Sequence, residues 1–477
     1  MSRPGRTALL AAVILSCAAA AAAGEWRETD TAHFRFIFEP RDQASVDELL
    51  VFCEEVYSQV TAFWGSRPAV VPCIIRGRRD DANGVTESFP FRIELYVTAP
   101  TDFVMGTRSS WLRLLLTHEL THFVHETMDT GLLHEASRLF GAEVTSAGLA
   151  LLPGWAVEGP AVYDETELTE GGRGRSALFE ICLKAAAEED RFFSLEQAGY
   201  PSDLPPPDRI YVGGWALSSW LQETYGPETL RRIMDAYLSF PFLGPWSAIS
   251  RVTGRSAAAI YSDMTRALRQ RYAAAGQISG GTRLTPAVTG SWSHPLVTPA
   301  GLIAWHTGPD LYPSFVRIEP SNGSEVVLGR AALTDASSFC ATPDGRRIWF
   351  SSFVVDYRRP DDVRTVSDLF VLDTTTHAVR QLTHGAHVWH PAVSGDGRRL
   401  VAVQGVGPYS RLVAVDTVTG AVRALFAVEQ GNVYNPALSP NGERVAFVLN
   451  VRGMQGVSIA RTEDLERSSV ALADPAG

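Results

Sequence analysis

The C-terminal part of this 477-residue chain repeats one turn four times, and no other feature limits its fold so severely. Thr298-Pro299-Ala300-Gly301, Thr342-Pro343-Asp344-Gly345, Ser394-Gly395-Asp396-Gly397 and Ser439-Pro440-Asn441-Gly442 each precede a short apolar run. Their glycines fall 44, 52 and 45 residues apart. A period of that size, with several strands per unit, is the signature of propeller blades. Each glycine is expected in a hairpin turn that needs a positive backbone angle. Pro295, Pro391 and Pro436 stand a few residues ahead of three of the turns. Four blades are few, and a ring that does not close leaves strand edges exposed. The expectation for residues 289–477 is therefore about four blades in an incomplete, truncated all-β propeller.

Upstream the texture differs. His33-Phe34-Arg35-Phe36-Ile37-Phe38 and 91–98 alternate apolar with polar residues and read as strands, with a helical apolar spacing over 47–64. Further helices are expected over 110–126, 154–163, 175–188, 213–225, 227–239 and 256–275. This gives an α+β domain over 24–275, joined by a small-residue linker at 276–288 to the propeller. Cys53 and Cys73 could form a disulfide or remain buried thiols, and no Cys-x-x-Cys spacing suggests a structural metal.

Residues 1–23 have the basic, apolar and small-residue order of an export signal. Two processing readings compete: cleavage after Ala21-Ala22-Ala23, or a lipobox ending at Cys17 that would leave a lipid anchor. The chain is expected to be exported, periplasmic or secreted, with no transmembrane segment after processing. A net charge of -11 argues against a nucleic-acid partner.

The chemistry concentrates in His118-Glu119-Leu120-Thr121-His122, an H-E-x-x-H sequence. On a helix the two histidines lie one turn apart on one face, where they can share a zinc ion with Glu119 beside it. Zinc lowers the pKa of a coordinated water, and Glu119 would take the proton. A catalytic zinc needs a third ligand. The metzincin pattern would place Gly at 125 and His at 128, where this chain has His125 and Met128. Glu158, in Pro153-Gly154-Trp155-Ala156-Val157-Glu158-Gly159-Pro160-Ala161-Val162-Tyr163, offers the other solution. His125, His134, Glu135 and Glu143 are rivals better read as surface or supporting groups.

H-E-x-x-H followed by P-x-W-x-x-E-G-x-A-x-Y resembles the gluzincin metallopeptidases, in particular peptidase MA-like proteins with a C-terminal propeller. The later repeats resemble TolB-family blades. The likeness implies zinc held by His118, His122 and Glu158, with Glu119 as general base. It also points to Tyr211, in Tyr211-Val212-Gly213-Gly214-Trp215, as the stabiliser of the developing oxyanion, with Tyr163 the rival. Pro160 departs from the commoner Glu-Gly-Leu-Ala and would fit the first turn of a helix. Gly171-Gly172-Arg173-Gly174-Arg175 would offer an arginine to a substrate carboxylate or form a solvated turn.

The resulting expectation is an exported zinc metallopeptidase that hydrolyses peptide bonds in a protein or peptide substrate. Its propeller would bind substrate or a cell-envelope protein partner. The alternative is a non-catalytic, propeller-based binding protein on a vestigial peptidase scaffold. Intact Glu119 favours the enzyme, and the absence of a G-x-M-E-N stretch argues against an intracellular aminopeptidase.

Overall fold

The alternation at 33–38 becomes strand β2 (Phe34–Phe38), which buries Phe34, Phe36 and Phe38 on one face. In this computed structural model the described residues span 26–471, except 78, 102–109, 129, 203–205, 207, 274–280, 286–289, 357–363, 452–453 and 465–469. The expected export signal with Cys17 and most of the linker lie outside them. No helix among the described residues is long and apolar enough to cross a membrane.

The sheet also contains β1 (Arg27–Asp30), β3 (Val71–Arg76), β4 (Asn83–Ser88) and β5 (Phe91–Tyr96), in the order β1-β2-β3-β5-β4. Strands β2, β3 and β5 run parallel, while β4 pairs antiparallel with β5 and forms an edge. Parallel β2 and β3 need a crossover, supplied by α1 (Gln43–Trp64). Its Leu49, Phe52, Val56, Val60 and Trp64 are buried at helical spacing, and Gly65 ends it in the left-handed conformation, φ 71°. Strand β4 was not apparent from the sequence pattern. Cys53 and Cys73 are both buried free thiols.

Across the sheet lie α2 (Trp111–Glu126), α3 (Gly131–Phe140), α4 (Gly154–Glu167), α5 (Ala177–Glu188), α6 (Arg209–Tyr225), α7 (Thr229–Ser239), α8 (Gly244–Thr253) and α9 (Ala257–Ala273). The pattern gave no sign of α3 or α8, and α6 begins four residues earlier than expected. Helices α4 and α6 cross with backbones in contact. A Cβ on Gly159 would sit 2.4 Å from the Gly214 carbonyl carbon, and one on Gly214 would sit 2.3 Å from the Trp155 oxygen. Pro160 corrects the sequence reading: it lies inside α4, well past the first turn, where its ring nitrogen gives no hydrogen bond to the preceding turn.

Beyond the linker, four antiparallel four-stranded sheets follow one another, built from residues 291–330, 339–381, 388–426 and 431–471. The C-terminal region is a multi-blade propeller. Gly301, Gly345, Gly397 and Gly442 join the first strand of each blade to the second, all at positive φ (124°, 66°, 71° and 69°). The prolines also acquire a reason. His294, His390 and Asn435, each just before one, have φ of 44–50°, and the ladder shifts register there, so each marks a bulge in the first strand of its blade. Apolar clusters join successive blades: Phe315 and Phe339 link the first two, Trp349 and Val388 the next, and Leu412 and Val433 the last. Among the described residues no such cluster joins the fourth blade to the first.

The two regions are fastened at Asp80, a buried carboxylate between β3 and β4. Its Oδ2 accepts the Ser367 N–H at 2.7 Å, its Oδ1 lies 2.7 Å from His387 Nδ1, and its own N–H reaches the Thr365 carbonyl at 3.0 Å. Nearby, Ala99 packs with Trp389 and Val403, and Tyr409 donates its hydroxyl to Glu48 at 2.7 Å. The Asp80 hydrogen bond raises the His387 pKa, outweighing burial, with Asp80 and Asp368 charges adding to it and Arg364 opposing. A raised folded-state pKa means that this contact stabilises fully below the ordinary histidine value of about 6.5 and fades as pH climbs through the higher folded value. Resistance of the natural chain to limited proteolysis between its two regions is therefore expected to weaken as pH rises above about 6.5. In His387→Gln that pH dependence should vanish, and an unchanged profile would rule out His387 as its source.

Candidate metal centre

Helix α2 is buried along nearly its whole length, so His118 and His122, one turn apart, are held side by side beneath the sheet edge. Their Nε2 atoms lie 3.1 Å apart. Helix α4 brings Glu158 Oε2 to 3.3 Å from His118 Nε2 and 3.4 Å from His122 Nε2. Donors about 2.1 Å from a tetrahedral ion stand roughly 3.4 Å from one another, so this triangle has the size zinc requires. The donor set fits as well. Glu158 Oε2 is buried without a well-aligned hydrogen bond.

His118 Nδ1 lies 2.9 Å from Glu165 Oε2, and Arg173 clasps Glu165 through Nε and Nη2 at 2.9 and 2.8 Å. That pairing turns Nε2 of His118 toward Glu158 and fixes its tautomer. Burial alone would lower the His118 pKa, but the contacts with Glu158 and Glu165 prevail and hold it at about 9. Burial likewise opposes ionisation of Glu158, yet the His122 charge and both histidine contacts hold its carboxyl well below the usual range.

Glu119 points to the edge strand. A Cβ on Gly84 would sit 2.6 Å from its Cγ, and Thr86 Oγ1 lies 2.9 Å from both its Oε2 and its carbonyl oxygen. Gly84 and Thr86 share one face of β4, so the strand cradles this side chain. His118, Glu119, His122, Glu158 and Tyr211 all line one cavity of about 540 Å³. Tyr211 sits in the first turn of α6, with the Arg173 guanidinium 4.6 Å from its ring centre. Burial and the Glu158 charge push its pKa to about 12 although Arg173 opposes them, so its hydroxyl keeps its proton at neutral pH. Tyr163 is not among the lining residues; it packs toward Phe63, ring centres 6.0 Å apart.

The rival ligands stand elsewhere. His125 is buried edge-on against Trp64 at 4.1 Å, and burial lowers its pKa. His134 and Glu135 lie on α3, with Glu135 paired to Arg138, and Glu143 lies in the turn that follows. The glycine-arginine turn is buried at Gly171, Gly172 and Arg173 and exposed at Arg175. Arg173 is committed to Glu165, and Arg175 donates to the carbonyls of Thr166 and Gly171. Sequence reasoning missed Glu165, although its spacing of seven from Glu158 puts both on one face of α4. It also missed Thr86, which lies on an unforeseen strand, and Asp164, which accepts from Trp64 and Thr121 at 2.6 and 2.8 Å behind the cluster.

No family model matches the chain, and no curated protein matches it. Among solved structures it is similar to TolB from Acinetobacter baumannii (17% identity over 39% of this chain and 44% of that one, TM-score 0.32). A puromycin hydrolase matches at 20% identity over 41% and 33%, TM-score 0.31. The β-propeller domain of the Trilobed protease from Pyrococcus furiosus matches at 14% over 39% and 58%, TM-score 0.26. The chain thus spans less than two thirds of each of these neighbours. Likenesses of this size carry no argument about its activity.

Proposed function

We propose that this chain is an exported zinc-dependent peptidase of the gluzincin kind, working on a protein or peptide substrate. The observation that carries the reading is the triangle of His118, His122 and Glu158 donors at 3.1 to 3.4 Å, opening on the same cavity as Glu119 and Tyr211. Zinc held by these three side chains would supply a Lewis acid that polarises a peptide carbonyl and acidifies a water. Glu119 accepts the proton of the attacking water at its carboxylate and then delivers it to the leaving nitrogen. Tyr211, protonated at neutral pH, donates its O–H to the carbonyl oxygen as negative charge grows there. Glu165 and Arg173 hold His118 in the tautomer that faces the ion. The propeller serves substrate or a cell-envelope partner, and the chain reaches the periplasm or beyond, released after Ala23 or anchored at Cys17.

Elemental analysis of the purified protein is expected to find one zinc per chain. Glu158→Gln should weaken zinc affinity by about 100-fold or more, since a neutral amide is a poor ligand in place of a carboxylate. A chain that holds no stoichiometric metal after zinc reconstitution would overturn the reading.

A further inference from the structure

Among the described residues, one buried carboxylate in the reaction cavity stands without an arginine or lysine beside it. Glu126, on the last turn of α2, is 9% exposed and lines the same cavity as the metal cluster. It follows His122 by four residues, so it projects from the same face about 6 Å further along the helix. Its Oε2 accepts a hydrogen bond from Ser88 Oγ at 3.0 Å, and Ser146 lines the cavity with them. No arginine or lysine pairs with it among the described residues. Burial raises its pKa, opposed by Ser88 and His122 and reinforced by the neighbouring charges of Glu87 and Glu119.

The cavity is therefore two-sided along α2. Trp111, Leu114 and Leu115 form an apolar end, the ligands occupy the middle, and Glu126 stands at the far end. A buried carboxylate is costly without a cation, and in a cavity built to receive another molecule that cation can come with the guest. We propose that Glu126, with Ser88 and Ser146, is a subsite for an organic cation of the substrate, an ammonium or guanidinium group one helical turn from the metal cluster. This rests on the peptidase reading for its biological meaning, but the subsite itself can be tested without catalysis.

The test uses the full chain and two probes in thermal-shift measurements. Benzoyl-argininamide carries a guanidinium with its amine blocked, and alaninamide carries only a free α-amine. The expected result is that at least one of them raises the melting temperature of the natural protein, whereas neutral acetyl-alaninamide does not. Protection by the first assigns a basic side chain as the guest, and protection by the second assigns a substrate N-terminus. Glu126→Gln, a neutral isostere, should abolish the protection and itself melt no lower than the natural chain, because it removes an uncompensated buried charge. In hydrolysis, the ratio of kcat/KM for substrates bearing that cation to kcat/KM for neutral counterparts should fall by about 30-fold in Glu126→Gln. Ser88→Ala should lower the same ratio by a smaller factor, which keeps the test alive if Glu126→Gln folds poorly. Protection by a cation without hydrolysis of any peptide would sink the peptidase reading and leave the subsite standing. Hydrolysis with no preference for a cation and no protection by either probe would overturn the subsite and spare the enzyme.

Discussion

Glu119→Gln is expected to retain its zinc and to lose about 10²–10⁴-fold in kcat, the range that loss of a positioned general base produces. Glutamine has the shape of glutamate, so Gly84 can still pack on it and the Thr86 hydroxyl can still donate to its oxygen. It cannot accept a proton. Because Glu119 lies outside the ligand triangle, metal content should not change, which separates this variant from Glu158→Gln. Parallel measurement of zinc stoichiometry and peptide turnover checks both halves. Full activity in Glu119→Gln would remove it from the role of base.

The second large effect is expected far from any charge. Gly159→Ala would insert a methyl group into a space where Gly214 backbone atoms already lie 2.4 to 2.6 Å from the new carbon. Neither partner is a flexible side chain, so helices α4 and α6 have to part. Overpacking of this kind costs about 3 kcal/mol, or roughly 6–12 °C in melting temperature for a domain of this size. The damage should be functional as well as structural, because Glu158 precedes Gly159 and Tyr211 lies one turn before Gly214. Zinc affinity is expected to fall together with the melting temperature. Gly199→Ala, where the added carbon meets only Pro153 Cβ at 3.7 Å, is the mild control. Equal melting temperatures for the two variants would mean that the crossing is looser than drawn.

What could be read from the sequence follows a physical division. The blade turns were legible because a positive φ demands glycine, and that demand recurs at each blade. The pairing of His118 with His122 was legible because helical geometry alone puts them together. Arg173 was misread because a glycine-rich turn looks exposed, and only the tertiary fold brings Glu165 against it. Strand β4 was invisible for a related reason. Asn83-Gly84-Val85-Thr86-Glu87-Ser88 is a polar edge with no buried alternation, and pairing with β5 makes it a strand. Pro160 was placed in a first turn although the helix expected from 154 already made it the seventh residue of α4.

The fastening at Asp80 changes what counts as one machine. Three residues after Asp80 the chain enters β4, and three more bring it to Thr86, the hydroxyl that steadies Glu119. Ser367 lies in the second blade and His387 at its junction with the third, so the seam between these blades is joined through residues 80–86 to the wall of the cavity that holds His118, His122 and Glu158. A propeller transplanted from another protein would have to bring an N–H and an imidazole to that same spot. Otherwise Asp80 would stay buried without partners, and the cavity wall would lose its anchor. The propeller is thus more than an attachment, since its residues satisfy a buried carboxylate three residues ahead of the strand that carries Thr86.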